Sequence, residues 1–294
     1  MSPADKPPAV VGTLFVRNLG VFIRNRTAVL LAGLTPVVLG VIFVAFLRDQ
    51  TVTLIEDLAP GFQAHAACDA WLFASGAVLS GFSSTVSVLL GFFDDYRAGR
   101  MGLHLASGVK RWQLVCSHLL AAVSVSFVIS AIIIGLGQVW ALIDGQPTMS
   151  SLLFLRALVG VFLAAIFFAG FNAAVMTFTL SQGSFGTYCL IMGITTGFLT
   201  FSFSLQRGTG VFQIAGILPF AQLGALVRNP MVTPGLGMTQ GELRESLLDL
   251  LGATIQLGGG DSWPTIAIIL ALLSWTVLSI ILSYFFMYQL LRER

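Results

Sequence analysis

The chain has 294 residues, of which 56% are hydrophobic and only 10% charged, with a mean hydropathy of +0.91. A soluble domain carries about a quarter charged residues, so this composition excludes a water-soluble fold. The net charge of +2 gives no footing for nucleic acid, and three scattered cysteines, Cys68, Cys116 and Cys189, form neither a disulfide framework nor a CxxC pair.

Several apolar runs exceed the roughly 18 residues that mark a membrane-spanning helix. They are continuous rather than alternating, which predicts an all-α integral membrane protein and not a β-barrel. Residues 1–27 are polar and basic with no small-residue cleavage site after the first apolar run, so no signal peptide is expected. In VGTLFVRNLGVFIRNR, Phe15, Leu19, Phe22 and Ile23 recur at helical spacing with Arg17, Arg24 and Arg26 among them. That pattern predicts an interfacial helix over 12–26. Six spans follow, at about 28–47, 70–92, 114–142, 152–180, 187–205 and 264–289. Each can cross a hydrocarbon core of about 30 Å at about 1.5 Å per residue.

The apolar stretch 211–227 is short and interrupted by Pro219. It is read as an outer re-entrant segment within the loop 206–263, a kind of backbone tolerated only where protein covers it. Beyond it, Thr239 with Glu242 matches a capping box, and Leu243, Leu247, Leu250 and Leu251 share one helical face. A small amphipathic helix is expected there, at the membrane surface or against a partner.

Lys and Arg set the orientation. With the N-terminus inside, ten basic residues and four acids are cytoplasmic, and five basic residues and nine acids lie outside. The split favours both termini in the cytoplasm.

No engine is visible. The only lysines, Lys6 and Lys110, do not sit in GxxxxGK[ST]. The span centres carry no carboxylate of the kind a coupled carrier uses. His65, His104 and His118 are scattered among no reactive constellation, so an enzyme is not expected. Either the protein needs no energy source, as a channel does, or another subunit supplies it.

Against this oily background, FDDYRAGRMGLHLASGVKRWQLV concentrates Asp94, Asp95, Arg97, Arg100, Lys110 and Arg111 in a loop, 93–113, punctuated by Gly99, Gly102 and Gly108. Two readings stand level. One is a solvated loop that sets topology. The other is a short cytoplasmic helix that docks on a soluble partner, with Arg111 and Trp112 of the types enriched at binding hot spots.

The segment resembles the coupling-helix region of ABC-2 type permeases, the membrane subunits of bacterial ABC exporters, multidrug exporters among them. Asp94, Asp95, Gly99, Met101, Leu105, Ser107, Val109, Lys110 and Arg111 match that pattern. Arg97 stands where an acid is common, Arg100 replaces Thr, Gly102 replaces Glu and Gly108 replaces Pro. RNLGVFIRNRTAVLLAGLTPVVLGVIF, with Pro36, resembles the family's opening. ILPFAQLGALVRNP, with Leu218, Pro219, Phe220 and Arg228, resembles its outer re-entrant region.

The resemblance implies a dimeric permease in the bacterial cytoplasmic membrane, in contact with membrane lipid. A separate ATPase subunit would bind ATP and Mg, leaving this chain without a cofactor or metal of its own. ATPase coupling would fall to Asp94, Asp95, Arg97, Gly99, Arg100, Lys110, Arg111 and Trp112.

On the second predicted span Gly76, Ser80, Ser83, Ser84, Ser87 and Gly91 share one face. Such a stripe suits close helix packing or a pathway lining. Asn172, Thr196, Thr200 and Phe203 are further pathway candidates. Their lack of charge points to an apolar or amphipathic cargo: a drug, a lipid-like molecule or a hydrophobic peptide. An ATP-independent channel or carrier, and a non-transporting scaffold or immunity protein, are the alternatives.

Overall fold

In hydrocarbon each backbone N–H and C=O must find its partner within the protein, which selects helices for a chain of this composition. The computed structural model describes residues 7–46, 48–58, 63–178, 182–201, 218–237, 241–254 and 265–292, and among them the regular structure is helical, with no strand. In chain order the helices are α1 (Pro7–Arg24), α2 (Arg26–Phe46), α3 (Arg48–Leu58), α4 (Ala64–Arg97), α5 (Arg100–Ala106), α6 (Arg111–Ile143) and α7 (Ser151–Phe178). They continue with α8 (Gln182–Phe201), α9 (Pro219–Val232, extended by a 3-10 turn over Thr233–Leu236), α10 (Glu242–Leu250) and α11 (Thr265–Arg292). Five of these, α2, α4, α6, α7 and α11, are long and apolar enough to cross a membrane among the described residues.

The bundle is organised around α4. In its most apolar 18-residue window 89% of residues are buried, against 18% for α2 and 28% for both α6 and α11. The outer helices turn leucine, isoleucine and valine outward, as Leu34, Val41, Ile132 and Leu270 show, while α4 is enclosed by α2, α6, α7, α8 and α9. Its composition explains this place: Gly76, Ser80, Gly81, Ser83 and Ser84 are small enough for neighbours to approach closely. A Cβ on Gly81 would stand 3.3 Å from the hydroxyls of Ser126 and Ser130 on α6. The same device joins α7 to α11, where a Cβ on Gly170 would meet Ser279 Oγ at 2.7 Å and the Ser279 carbonyl carbon at 3.0 Å.

Most expected elements are present with shifted ends. The interfacial helix predicted over 12–26 begins at Pro7, and its buried face is Leu14, Asn18 and Phe22 against α4 and α6, while Ile23 is 68% exposed. The helix predicted over 70–92 runs from Ala64 to Arg97, because both polar ends are anchored by neighbours. α3 was not foreseen: RDQTVTLIEDL is polar overall, yet Val52 and Ile55 pack with Phe43 and Trp71 in a second cluster at one end of the bundle.

α10 caps that same end. Gly241 occupies its N-cap without a side-chain hydrogen bond, so the capping box expected from Thr239 is not the device that starts the helix; Thr239 itself lies outside the described residues. Leu247, Leu248 and Leu251 bury against Val232 and Leu236, and Leu243 is 41% exposed. The amphipathic face is thus covered by the chain itself. α9, 14 residues and about 21 Å long, wedges against α4 and α7 with most of its residues buried.

Substituting Gly170→Leu forces α7 away from the Ser279 backbone and is expected to cost about 1–3 kcal/mol. Thermal unfolding in mild detergent should show it as a lowered midpoint. Gly33→Ala, where a Cβ meets nothing within 4 Å, should leave the midpoint unchanged or raised.

Candidate functional site

α4 does not stop where its apolar run ends. It carries Asp94, Asp95 and Arg97 on its last turns, so these three are helical and not in a loop. Gly99, at φ +72°, turns the chain in a conformation side-chain-bearing residues rarely adopt. The short helix α5 follows, and Gly108, at φ +88°, makes the second turn. The Gln113 side-chain oxygen then accepts the Lys110 N–H at 2.9 Å, closing the start of α6. Gly99 and Gly108 thus place a positive-φ turn on each side of α5, while Gly102 lies within the helix.

Asp95 is the hub of this turn. Its side chain is 5% exposed, and its oxygens accept from Arg17 of α1 and, at 2.7 Å, from Arg100 Nε of α5. Arg17 also donates to Asn18 at 3.1 Å, and Asn18 donates to Ser117 of α6 at 3.3 Å. His118, one position on, contacts the Leu114 carbonyl through Nδ1 at 2.9 Å and stands edge-on to Phe92. One carboxylate thus ties three helices, α4, α1 and α5, and the Asn18–Ser117 bond adds α6. On α5, Met101 is 1% exposed and Leu103 is 71% exposed, so one side of the helix grips the bundle and the other projects an apolar side chain outward.

The other predicted coupling residues spread around this hub. Asp94 and Lys110 are exposed. Arg97 lies over the Phe93 ring at 5.2 Å, and Arg111 over Tyr288 of α11 at 5.7 Å. Trp112 is 36% exposed. The sequence reading missed Arg17, Asn18, Leu103 and Tyr288. Arg17 carried the signal of a basic flank only, and its partner Asp95 lies 78 residues away.

The predicted pathway residues are enclosed within the chain. Ser83 donates to the Ala32 carbonyl of α2 at 2.9 Å, and Ser87 to the Ser83 carbonyl at 2.9 Å. Ser80 lies 3.4 Å from Ser130, which donates to the Ala77 carbonyl at 2.7 Å. Asn172 of α7 donates to Thr85 of α4 and accepts from Tyr188 of α8, both at 2.6 Å. These bonds join α4 to α2, α6 and α7, and α7 to α8, which is the packing use of such residues. Ser84 is buried, and its hydroxyl has no hydrogen-bond partner among the described residues. Thr196 is buried on α8. Phe203 and the Thr200 side chain lie outside the described residues.

At the far end of α4 a second carboxylate has the same office. Asp69 accepts from Arg48 at 2.9 and 3.1 Å, from Trp140 at 3.2 Å and from Gln146 at 3.3 Å. The hydrogen bond to Asp69 raises the Arg48 pKa above its ordinary value, so this cation does not titrate near neutrality. Nearby, the buried Arg228 donates to Ser75 and to the Gly252 carbonyl, each at 3.2 Å, and lies over Trp71.

Fold and site define an all-α, multi-pass membrane protein with a glycine-framed, charged turn between its central helix and α6. No protein-family model matches the chain, and no curated protein matches it.

Replacing Asp95 with Asn removes the charge that two arginines share and is expected to destabilise the fold by about 1–3 kcal/mol, the arginines being partly exposed. Detergent unfolding should register the loss, and trypsin should cut faster at Arg17 and Arg100. Asp94→Asn, on an exposed position, should do neither.

Proposed function

We propose that this chain is the permease subunit of an ABC-2 type exporter, moving an apolar or amphipathic cargo out of the cytoplasm with a separate ATPase as its motor. The observation that carries the reading is the turn from α4 to α6. A short helix is held on one side by Met101 and the Arg100–Asp95 pair, framed by two positive-φ glycines, and presents Leu103 outward, with Lys110 and Trp112 exposed at the start of α6. This is the geometry expected of an element that a soluble partner pushes, and it fits a chain whose sequence has no nucleotide site of its own.

In this reading α8, with 20 residues, is the fifth of six spans. Both termini and α5 are cytoplasmic, α1 lies on the inner leaflet, and α9 with α10 forms the outer cap. Two such chains build the pathway between them, consistent with the enclosure of the α4 serines inside one chain. The ATPase binds ATP and Mg and closes beneath α5.

Leu103→Asp should leave membrane insertion intact and reduce capture of a P-loop ATPase in a mild-detergent pull-down by an order of magnitude or more, since hot-spot losses reach 2 kcal/mol and above. Arg111→Glu should abolish ATP-dependent export by the same membranes. Capture of no ATPase by the intact native complex would sink the exporter reading and put an ATP-independent channel or carrier first.

A further inference from the structure

Between α1, the start of α2 and the ends of α4 and α6 an open cleft contains about 340 Å³ of empty space, counting its mouth. Its wall is divided. Arg17, Asn18, Asn25, Ser87, Asp95 and His118 form a polar side, and Val21, Phe22, Ala28 and Val88 an apolar one. Asp95, His118, Ser87 and Asn18 are each less than 10% exposed, so the polar side is built into the fold.

The electrostatics of the cleft select an anion. Asp95 is already engaged by two arginines. Arg17 uses Nη1 for both Asp95 and Asn18, and a guanidinium has five N–H donors. Asn25 lends its side-chain oxygen to the Ala28 N–H at 3.1 Å, which leaves its amide NH₂ as a donor. That bond caps the start of α2, and the Asn25 N–H is itself held by the Val21 carbonyl of α1 at 3.1 Å. Arg17 is the cation that lines the cleft, and with Arg100 on the other oxygen of Asp95 two arginines stand against that one carboxylate.

The position of the cleft selects a lipid. Val21, which lines the cleft, is exposed, as are Val16 and Ile23 elsewhere on α1 and Leu30, Leu31 and Leu34 of α2, the leucines all within two turns of Ala28. A ligand here meets donors at the bend and apolar side chains leading along α2, the two halves of a phospholipid. We propose that the cleft holds the phosphodiester headgroup of an anionic phospholipid, in the leaflet on the α5 side, with its chains along α2. The headgroup accepts from Arg17 and Asn25 next to the Asp95 hub. The inference rests on the membrane placement of the helices and not on the exporter reading, so an absent ATPase leaves it standing.

Native mass spectrometry of the full chain in mild detergent, titrated with phosphatidylglycerol and separately with phosphatidylcholine, tests it. Tighter retention of phosphatidylglycerol is expected. It should weaken on the order of tenfold in Val21→Trp, which fills the cleft, and in Asn25→Ala, which removes a donor, while Val41→Trp on the outer face of α2 keeps it. Equal retention of the two lipids, or phosphatidylglycerol retention equal in all variants, would overturn the proposal. Displacement of the lipid by equimolar glycerol phosphate would overturn it too, by assigning the cleft to a soluble phosphate.

Discussion

A helix enclosed on all sides in a medium without water must find partners for its polar groups among its neighbours, and the rest of this structure follows from that constraint acting on α4. Twenty-six residues separate Asp69 from Asp95, about 39 Å of helix, which exceeds the roughly 30 Å hydrocarbon core. A helix of that length can set both carboxylates outside the core, and at each end an arginine from another element reaches them. Asp69 draws in Arg48 and the α6–α7 connection through Gln146, and Asp95 draws in α1 and α5. Between them the serines and threonine of α4 bond to α2, α6 and α7. The mast is pinned at both ends and stitched along its length.

The consequence for function lies in how differently the two ends are held. Around Asp69 the elements are covered by a second apolar cluster that includes Trp71, Ile55 and Leu247, so that end is a rigid cap. Around Asp95 the partners are partly exposed arginines, and the connection to α5 passes through two glycines with little packing about them. Ion pairs of this exposure are worth little more than about 1 kcal/mol each. In the exporter reading proposed above, that strength suits a tether that holds α5 in place and yields under a partner's push.

Several features were legible because they rest on local pattern. The long apolar runs marked the five helices long enough to cross a membrane among the described residues, and the glycines at 99 and 108 marked the turns; Pro219, expected as an interruption of 211–227, instead takes the first helical position of α9. The charged patch was visible as an anomaly of composition. Which of its members point outward was not, because Asp94 and Asp95 are the same residue type on adjacent positions and only the approach of Arg17 separates them. α3 was missed because its polar sequence hides the two side chains, Val52 and Ile55, that a separate cluster requires.

The sequence by itself determined that this is a helical membrane protein and where its long apolar helices lie, since the penalty for unsatisfied backbone in lipid acts on every residue alike and selects continuous apolar runs. Only the tertiary structure decided that the serine face of α4 is joined to its own neighbours, that the amphipathic α10 is covered by this chain, and that one aspartate binds α1 to α5. Most of them depend on contacts distant in sequence, such as Ser126 with Gly81 at 45 positions, Arg17 with Asp95 at 78 and Asn18 with Ser117 at 99. No local pattern encodes a partner at such a distance; it is set when the helices pack.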